Sequence, residues 1–227
     1  MKKLVIVAMA VVMIFIATSA MAAQVRLAGY YDTREQENMT LTVSQQMKNG
    51  FSVWGFIDLW TNRANSETKT DDEADFTSFY GEGNINYSLN QNWRLMLELN
   101  DGSAVSAVLR PGVLYVAQVA TGRIGLKLLP YRIDLVDQDP VRDPSGQLGL
   151  NWRFDWLDNK VFFEGFADLN WLWENQKDFY PFCTEPQLGF NLSQNASFLV
   201  EYRYSNLNSL TKEADQGWGI GLEYRFK

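Results

Sequence analysis

The sequence contains no histidine, a single cysteine (Cys183) and six prolines in 227 residues. The missing histidine excludes the usual histidine-containing zinc sites and every Ser-His-Asp or Cys-His mechanism. No catalytic residue, metal or cofactor is therefore expected, and carboxylate-only chemistry is the enzymatic option that survives. One cysteine permits no intramolecular disulfide. Beyond residue 22, no run approaches the roughly 20 apolar residues that a membrane-spanning helix needs. Positive charge is also scarce: 20 Lys and Arg face 27 Asp and Glu, for a net charge of −7. Nothing supplies the basic footprint of a nucleic-acid binder, so no nucleic-acid partner is expected.

The first 22 residues read as a secretory signal. Lys2 and Lys3 give the positive start, residues 4–17 the apolar core, and Ala20-Met21-Ala22 a small-residue cleavage site. The mature chain is expected to begin at Ala23 and to form one domain over 23–227. No cysteine lies near the cleavage site, which excludes a lipid-modified N-terminus.

What remains is rich in aromatics and in alternating strands. Residues 217–227 place Trp218, Ile220, Leu222, Tyr224 and Phe226 on one face and Gly217, Gly219, Gly221, Glu223 and Arg225 on the other. This pattern suits a membrane-spanning barrel strand or a half-buried strand of a soluble protein. Other segments repeat it. Trp93, Leu95, Leu97 and Leu99 alternate with Arg94, Met96, Glu98 and Asn100, and Leu148, Leu150, Trp152, Phe154 and Trp156 alternate with polar or small residues.

Twelve strands are expected, near 25–32, 38–47, 51–60, 76–89, 93–101, 104–119, 122–134, 146–156, 161–171, 178–192, 195–205 and 216–226. Short links at 48–50, 90–92, 120–121, 157–160 and 193–194 alternate with longer segments at 61–75, 135–145, 172–177 and 206–215. Only the link at 100–103 breaks the rule. Such sorting fits short periplasmic turns and longer outer loops, and the even strand number places both termini on one side. The fold class is thus an all-β, antiparallel transmembrane barrel. Export combined with a barrel implies the outer membrane of a Gram-negative bacterium, with its lipid as a partner. Pro111 and Pro130 interrupt the pattern between 104 and 134, where a bulge or misplaced boundary is expected and ten strands remain the alternative count.

The chain also repeats itself. Gly55-Phe56-Ile57-Asp58-Leu59 recurs as Gly165-Phe166-Ala167-Asp168-Leu169, and Phe76-x-x-Phe79-x-x-Glu82 recurs as Phe179-x-x-Phe182-x-x-Glu185. The match runs on through Gln91-Asn92 and Gln194-Asn195 to Glu98 and Glu201. Shared alternation explains the apolar positions but not polar residues recurring in one order and phase, so duplication is the better account. Strands three to five then map onto nine to eleven, half a turn of a closed barrel.

By parity, Asp58, Glu82, Glu98, Asp168, Glu185 and Glu201 face inward on opposing walls, with Arg94 and Arg153 able to offset part of their charge. Trp54, Phe56, Trp60, Tyr80 and Phe166 share that phase. Carboxylates interleaved with rings would line a narrow passage able to stack on a planar solute and to favour cations. Alternatively, the same rings plug the interior.

The elements Gly-Phe-x-Asp-Leu and Phe-x-x-Phe-x-x-Glu-Pro-Gln-Leu (179–188) resemble the nucleoside-specific channel-forming Tsx-type outer membrane family, over residues 51–100 and 161–208. The first copy departs from the motif, with Glu82-Gly83-Asn84-Ile85 in place of Glu-Pro-Gln-Leu. The resemblance implies a monomeric twelve-stranded barrel whose narrow lumen binds nucleosides through aromatic and polar side chains. The expected function is a porin-like channel for small polar solutes, with no enzymatic role, since barrel enzymes of this membrane mostly rely on a histidine. Two alternatives stand beside it. One is a closed structural barrel acting through its outer loops, with Glu67, Asp71, Asp72 and Glu73 at the tip of 61–75. The other is a soluble periplasmic barrel for an apolar ligand, which would need its outward rings covered.

Overall fold

The computed structural model describes residues 23–33, 36–62, 76–103, 107–135, 145–172, 181–206 and 215–226. The expected signal segment, the acidic residues of the 61–75 loop and Phe179 of the repeat lie outside them. The strands are β1 (Gln24–Asp32), β2 (Gln36–Gln46), β3 (Phe51–Asn62), β4 (Phe76–Ser88), β5 (Trp93–Gly102), β6 (Val108–Val119) and β7 (Gly122–Leu129). There follow β8 (Ile133–Asp134), β9 (Ser145–Trp156), β10 (Val161–Leu172), β11 (Phe182–Thr184), β12 (Gln187–Asn191), β13 (Ala196–Ser205) and β14 (Asp215–Phe226).

Each strand pairs antiparallel with its neighbours, and β14 returns to β1 with Leu27 opposite Tyr224 and Tyr31 opposite Ile220. The sheet closes on itself and leaves no long edge for another chain to pair with. Two courses of the barrel are each made of two pieces, which gives twelve courses in all. In β11–β12, Ala167 faces Thr184 and Glu164 faces Gln187, so the register is unbroken across Glu185-Pro186. Pro186 has no N–H to give the ladder, but its carbonyl still accepts from the Tyr202 N–H at 3.0 Å.

The other divided course settles the 104–134 region. β6 pairs Val113 with Leu128 of β7, and Leu109 with Ile133 of β8. One extra residue therefore falls on the β7–β8 side, a bulge at Pro130, and Pro111 lies opposite this break. Each proline sits where the other strand demands no N–H. The ten-strand alternative is thereby removed, and the strand expected from 104 begins at Val108 among the described residues.

Alternation decides which face meets what. On β14, Trp218, Ile220, Leu222, Tyr224 and Phe226 are exposed, while Gly217, Gly219, Gly221 and Glu223 are buried. Outward rings pair near the ends of the strands: Phe51 with Tyr87 at 4.9 Å, Trp93 with Tyr115 at 5.0 Å, and Tyr202 with Trp218 at 4.9 Å between centroids. Between them lie Leu95, Leu97, Leu126, Leu128, Leu148, Leu150, Ile220 and Leu222, all exposed. An apolar band flanked by aromatic girdles is the exterior of a barrel that lies in lipid. It stands against the soluble-barrel alternative, which needs those outward rows covered.

The turns explain the register. Asn49 and Gly50 adopt positive φ between β2 and β3, as do Leu157, Asp158 and Asn159 between β9 and β10. At the β4–β5 turn the Asn90 side chain accepts hydrogen bonds from the backbone N–H groups of Asn92 and Trp93. These tight links gather at one end of the barrel with both strand termini, called here the turn end, and the longer connections gather at the loop end.

Candidate functional site

The repeat is visible in the ladders. Phe56 stands opposite Glu82, and in the second copy the Glu185 N–H donates to the Phe166 carbonyl. Asn84 stands opposite Glu98, and Gln187 opposite Glu201. The two copies share one register, so their six carboxylates project inward at corresponding heights.

Those carboxylates gather into two clusters, each drawing on both copies. Lys127 Nζ, from β7, lies 2.9 Å from Glu98, 3.3 Å from Asp168 and 3.7 Å from Glu82. Arg203 Nη2, from β13, lies 2.6 Å from Glu185, 3.7 Å from Asp58 and 3.9 Å from Glu201. A half turn exchanges Asp58 with Asp168, Glu82 with Glu185 and Glu98 with Glu201, and so exchanges one triad for the other. In each triad an Asp from one half meets two Glu from the opposite half. Glu82 on β4 and Asp168 on β10 come from opposite walls, yet one ammonium reaches both. The lumen is bridged at this level.

The cations do not follow the repeat. The position equivalent to Arg203 is Asn100, whose Nδ2 donates to Glu82 at 3.1 Å and to the Tyr80 hydroxyl at 3.0 Å. Arg110 of β6 donates to Asn100 Oδ1 and lies 3.9 Å from Glu98. Around the second triad, Thr40 donates to Asp58 at 2.5 Å and Gln187 to Glu201 at 3.2 Å. Trp60 lies beneath the Arg203 guanidinium at 5.6 Å, a cation–π contact. Trp54, Phe56 and Tyr80 form an inward aromatic run, with centroids 5.4 and 5.8 Å apart.

The expected neutralisation by Arg94 and Arg153 is corrected. Both point inward but lie toward the turn end, four residues along β5 from Glu98 in the case of Arg94. Arg153 pairs with Glu164 at 2.7 Å and Asp155 at 2.9 Å, and Arg26 bridges Glu164 and Glu223 at 3.1 and 3.3 Å. Phe162 lies between Arg153 and Arg225, at 4.3 and 5.9 Å. Lys127 lies in the 104–134 region that Pro111 and Pro130 interrupt, although Gly125-Leu126-Lys127-Leu128 alternates cleanly. Arg203 stands in the same inward row as Glu201, and its phase alone would have found it.

Apolar groups also face inward. Met96, Leu114, Val116 and Leu129 form one buried cluster, and Ala28, Phe162 and Leu199 form another, packed against Tyr30. Met96 and Leu199 are half-turn equivalents. Inward glycines let the larger groups lie flat on the wall: a Cβ at Gly189 would strike the Phe162 ring, and one at Gly149 would strike Lys127 and Asp168. Gly189→Val is therefore expected to cost about 1–3 kcal/mol through overpacking. A urea midpoint equal to that of the unaltered protein would show the ring has room to move.

No family model and no curated protein matches this sequence. Solved structures do. KdgM porin superposes with a TM-score of 0.55 at 14% identity, covering 90% of this chain and 99% of that one. NanC porin gives 0.58 at 14% identity, covering 88% and 98%. Outer membrane phospholipase A from Escherichia coli gives 0.56 at 11% identity, covering 89% of each. Porins and a phospholipase thus share one architecture, and this chain is a closed, twelve-stranded antiparallel β-barrel of the kind that outer-membrane porins adopt.

Proposed function

We propose that the protein is an outer-membrane channel of a Gram-negative bacterium that passes small polar solutes by passive diffusion, acting as a monomer and not as an enzyme. The carrying observation is the bridged constriction, where six inward carboxylates face three cations, Lys127, Arg110 and Arg203. Unbalanced negative charge in a narrow, low-dielectric passage raises the local concentration of cations and repels anions. The run of Trp54, Phe56 and Tyr80 beside it offers flat faces to a planar solute, which supports nucleosides as one class of cargo. Phospholipase A shares the fold, but this sequence brings no histidine to any such chemistry.

Reversal potential in a salt gradient across a planar bilayer tests this. The unaltered protein should prefer cations, and Glu82→Gln with Glu185→Gln, one carboxylate from each triad, should move the permeability ratio toward equality. An unchanged reversal potential in the double variant would defeat the assignment.

A second reading is favoured by the two apolar clusters inside the barrel, which water in an open pore would not leave buried. Small barrels fill themselves with side chains. A barrel closed in this way would act through its loops and would show no conductance steps at any salt concentration.

A further inference from the structure

The two triads are equivalent in carboxylates but unequal in donors. Arg203 brings a guanidinium with five N–H donors, and Thr40 and Gln187 add theirs. Among the described residues, no buried carboxylate oxygen of that triad lacks a hydrogen bond. Lys127 brings three N–H donors to the other triad. There Glu98 Oε1 and Asp168 Oδ1 are buried and accept no hydrogen bond, Arg110 lying 3.9 Å from the former. Glu98 is 0% exposed and Asp168 6%.

A third such acceptor lies on the strand beside that of Asp168. Asp168 stands opposite Gly149 on β9, and Gln147, two residues on toward the loop end, is buried with its Oε1 also unpaired. Three inward acceptors, on β5, β9 and β10, thus lack donors, in and beside a group carrying three carboxylates against Lys127 and Arg110. Lys127 and Asp168 keep 8% and 9% side-chain exposure, so the edge of the group opens to the lumen.

From this broken symmetry we propose that the Lys127 triad is a subsite for the primary ammonium group of a small solute, seated between Glu98, Asp168 and Gln147. The inference rests on the channel reading and names its preferred cargo as small amines. An ammonium carries the missing donors and the compensating charge, and it repeats the geometry by which Lys127 already holds these carboxylates. A quaternary ammonium has the charge without the donors. The Arg203 triad, which leaves no buried oxygen without a hydrogen bond, holds the opposite half of the barrel in place.

The test is calorimetric titration of the folded protein in detergent with methylammonium chloride and, separately, tetramethylammonium chloride at equal ionic strength. Saturable methylammonium binding is expected, with tetramethylammonium at least about tenfold weaker, the difference a pair of charge-assisted hydrogen bonds makes. Glu98→Gln should weaken methylammonium about tenfold, while Glu201→Gln, its half-turn counterpart, should change it less than about twofold. Equal binding of the two probes would overturn the proposal, as would equal losses in the two variants. If Glu98→Gln fails to fold, the two probes on the unaltered protein still decide the matter. Methylammonium binding in a barrel that conducts no ions would keep the subsite and reject the channel. Conductance without amine binding would reject the subsite alone.

Discussion

Replacing Arg203 with methionine is expected to cost the barrel about 3–5 kcal/mol, the usual penalty for removing one partner from a buried ionic group. Arg203 is the only cation within 4 Å of Asp58, Glu185 and Glu201 among the described contacts. Its side chain is 12% exposed, so solvent cannot take its place. Methionine keeps the volume and removes the charge, leaving three inward carboxylates to repel one another. Urea unfolding in lipid vesicles would measure the loss. Glu185→Gln in the same background should recover part of it, since the closest partner, at 2.6 Å, would no longer need a cation. A loss below about 1 kcal/mol would place this group with exposed ion pairs and remove its structural role.

Leu222→Arg should act from the other side of the wall. Leu222 lies near the middle of β14, 61% exposed, where the barrel meets lipid. Arginine there is expected to cost about 2–4 kcal/mol, as charged groups do at the bilayer midplane. The inward Gly219→Ala is the matched control, since a Cβ at that position has no neighbour closer than 3.8 Å. Membrane insertion, read as the shift in gel mobility of unheated samples, should fall sharply for Leu222→Arg and hardly at all for Gly219→Ala. Equal insertion of the two would invert the facing assigned to the closing strand.

The strands were legible because each needs only its own residues. A period of two sorts Trp218, Ile220 and Leu222 from Gly217, Gly219 and Gly221 with no knowledge of any partner. The structure differs where proline removes an N–H. Pro130 pushes one residue out of the β7–β8 course, and Pro186 divides β11 from β12 without disturbing the register. Whether a proline ends a strand or merely interrupts a ladder depends on what lies opposite, and Pro111 is tolerated because the break at Pro130 faces it.

The sequence by itself determined the inward phase of the six carboxylates and the half-turn relation between the two copies, and it favoured a barrel of twelve courses over one of ten. All of these follow from periodicity and chain order. The tertiary structure alone decided which charges meet. A cation on a long side chain chooses among carboxylates by distance across the lumen, and that distance depends on strand tilt and closure, which no local pattern contains. Thus Lys127 and Arg203, and neither Arg94 nor Arg153, hold the triads. Closure also unites an Asp of each half with two Glu of the other, because residues half a chain apart become neighbours only when β14 meets β1.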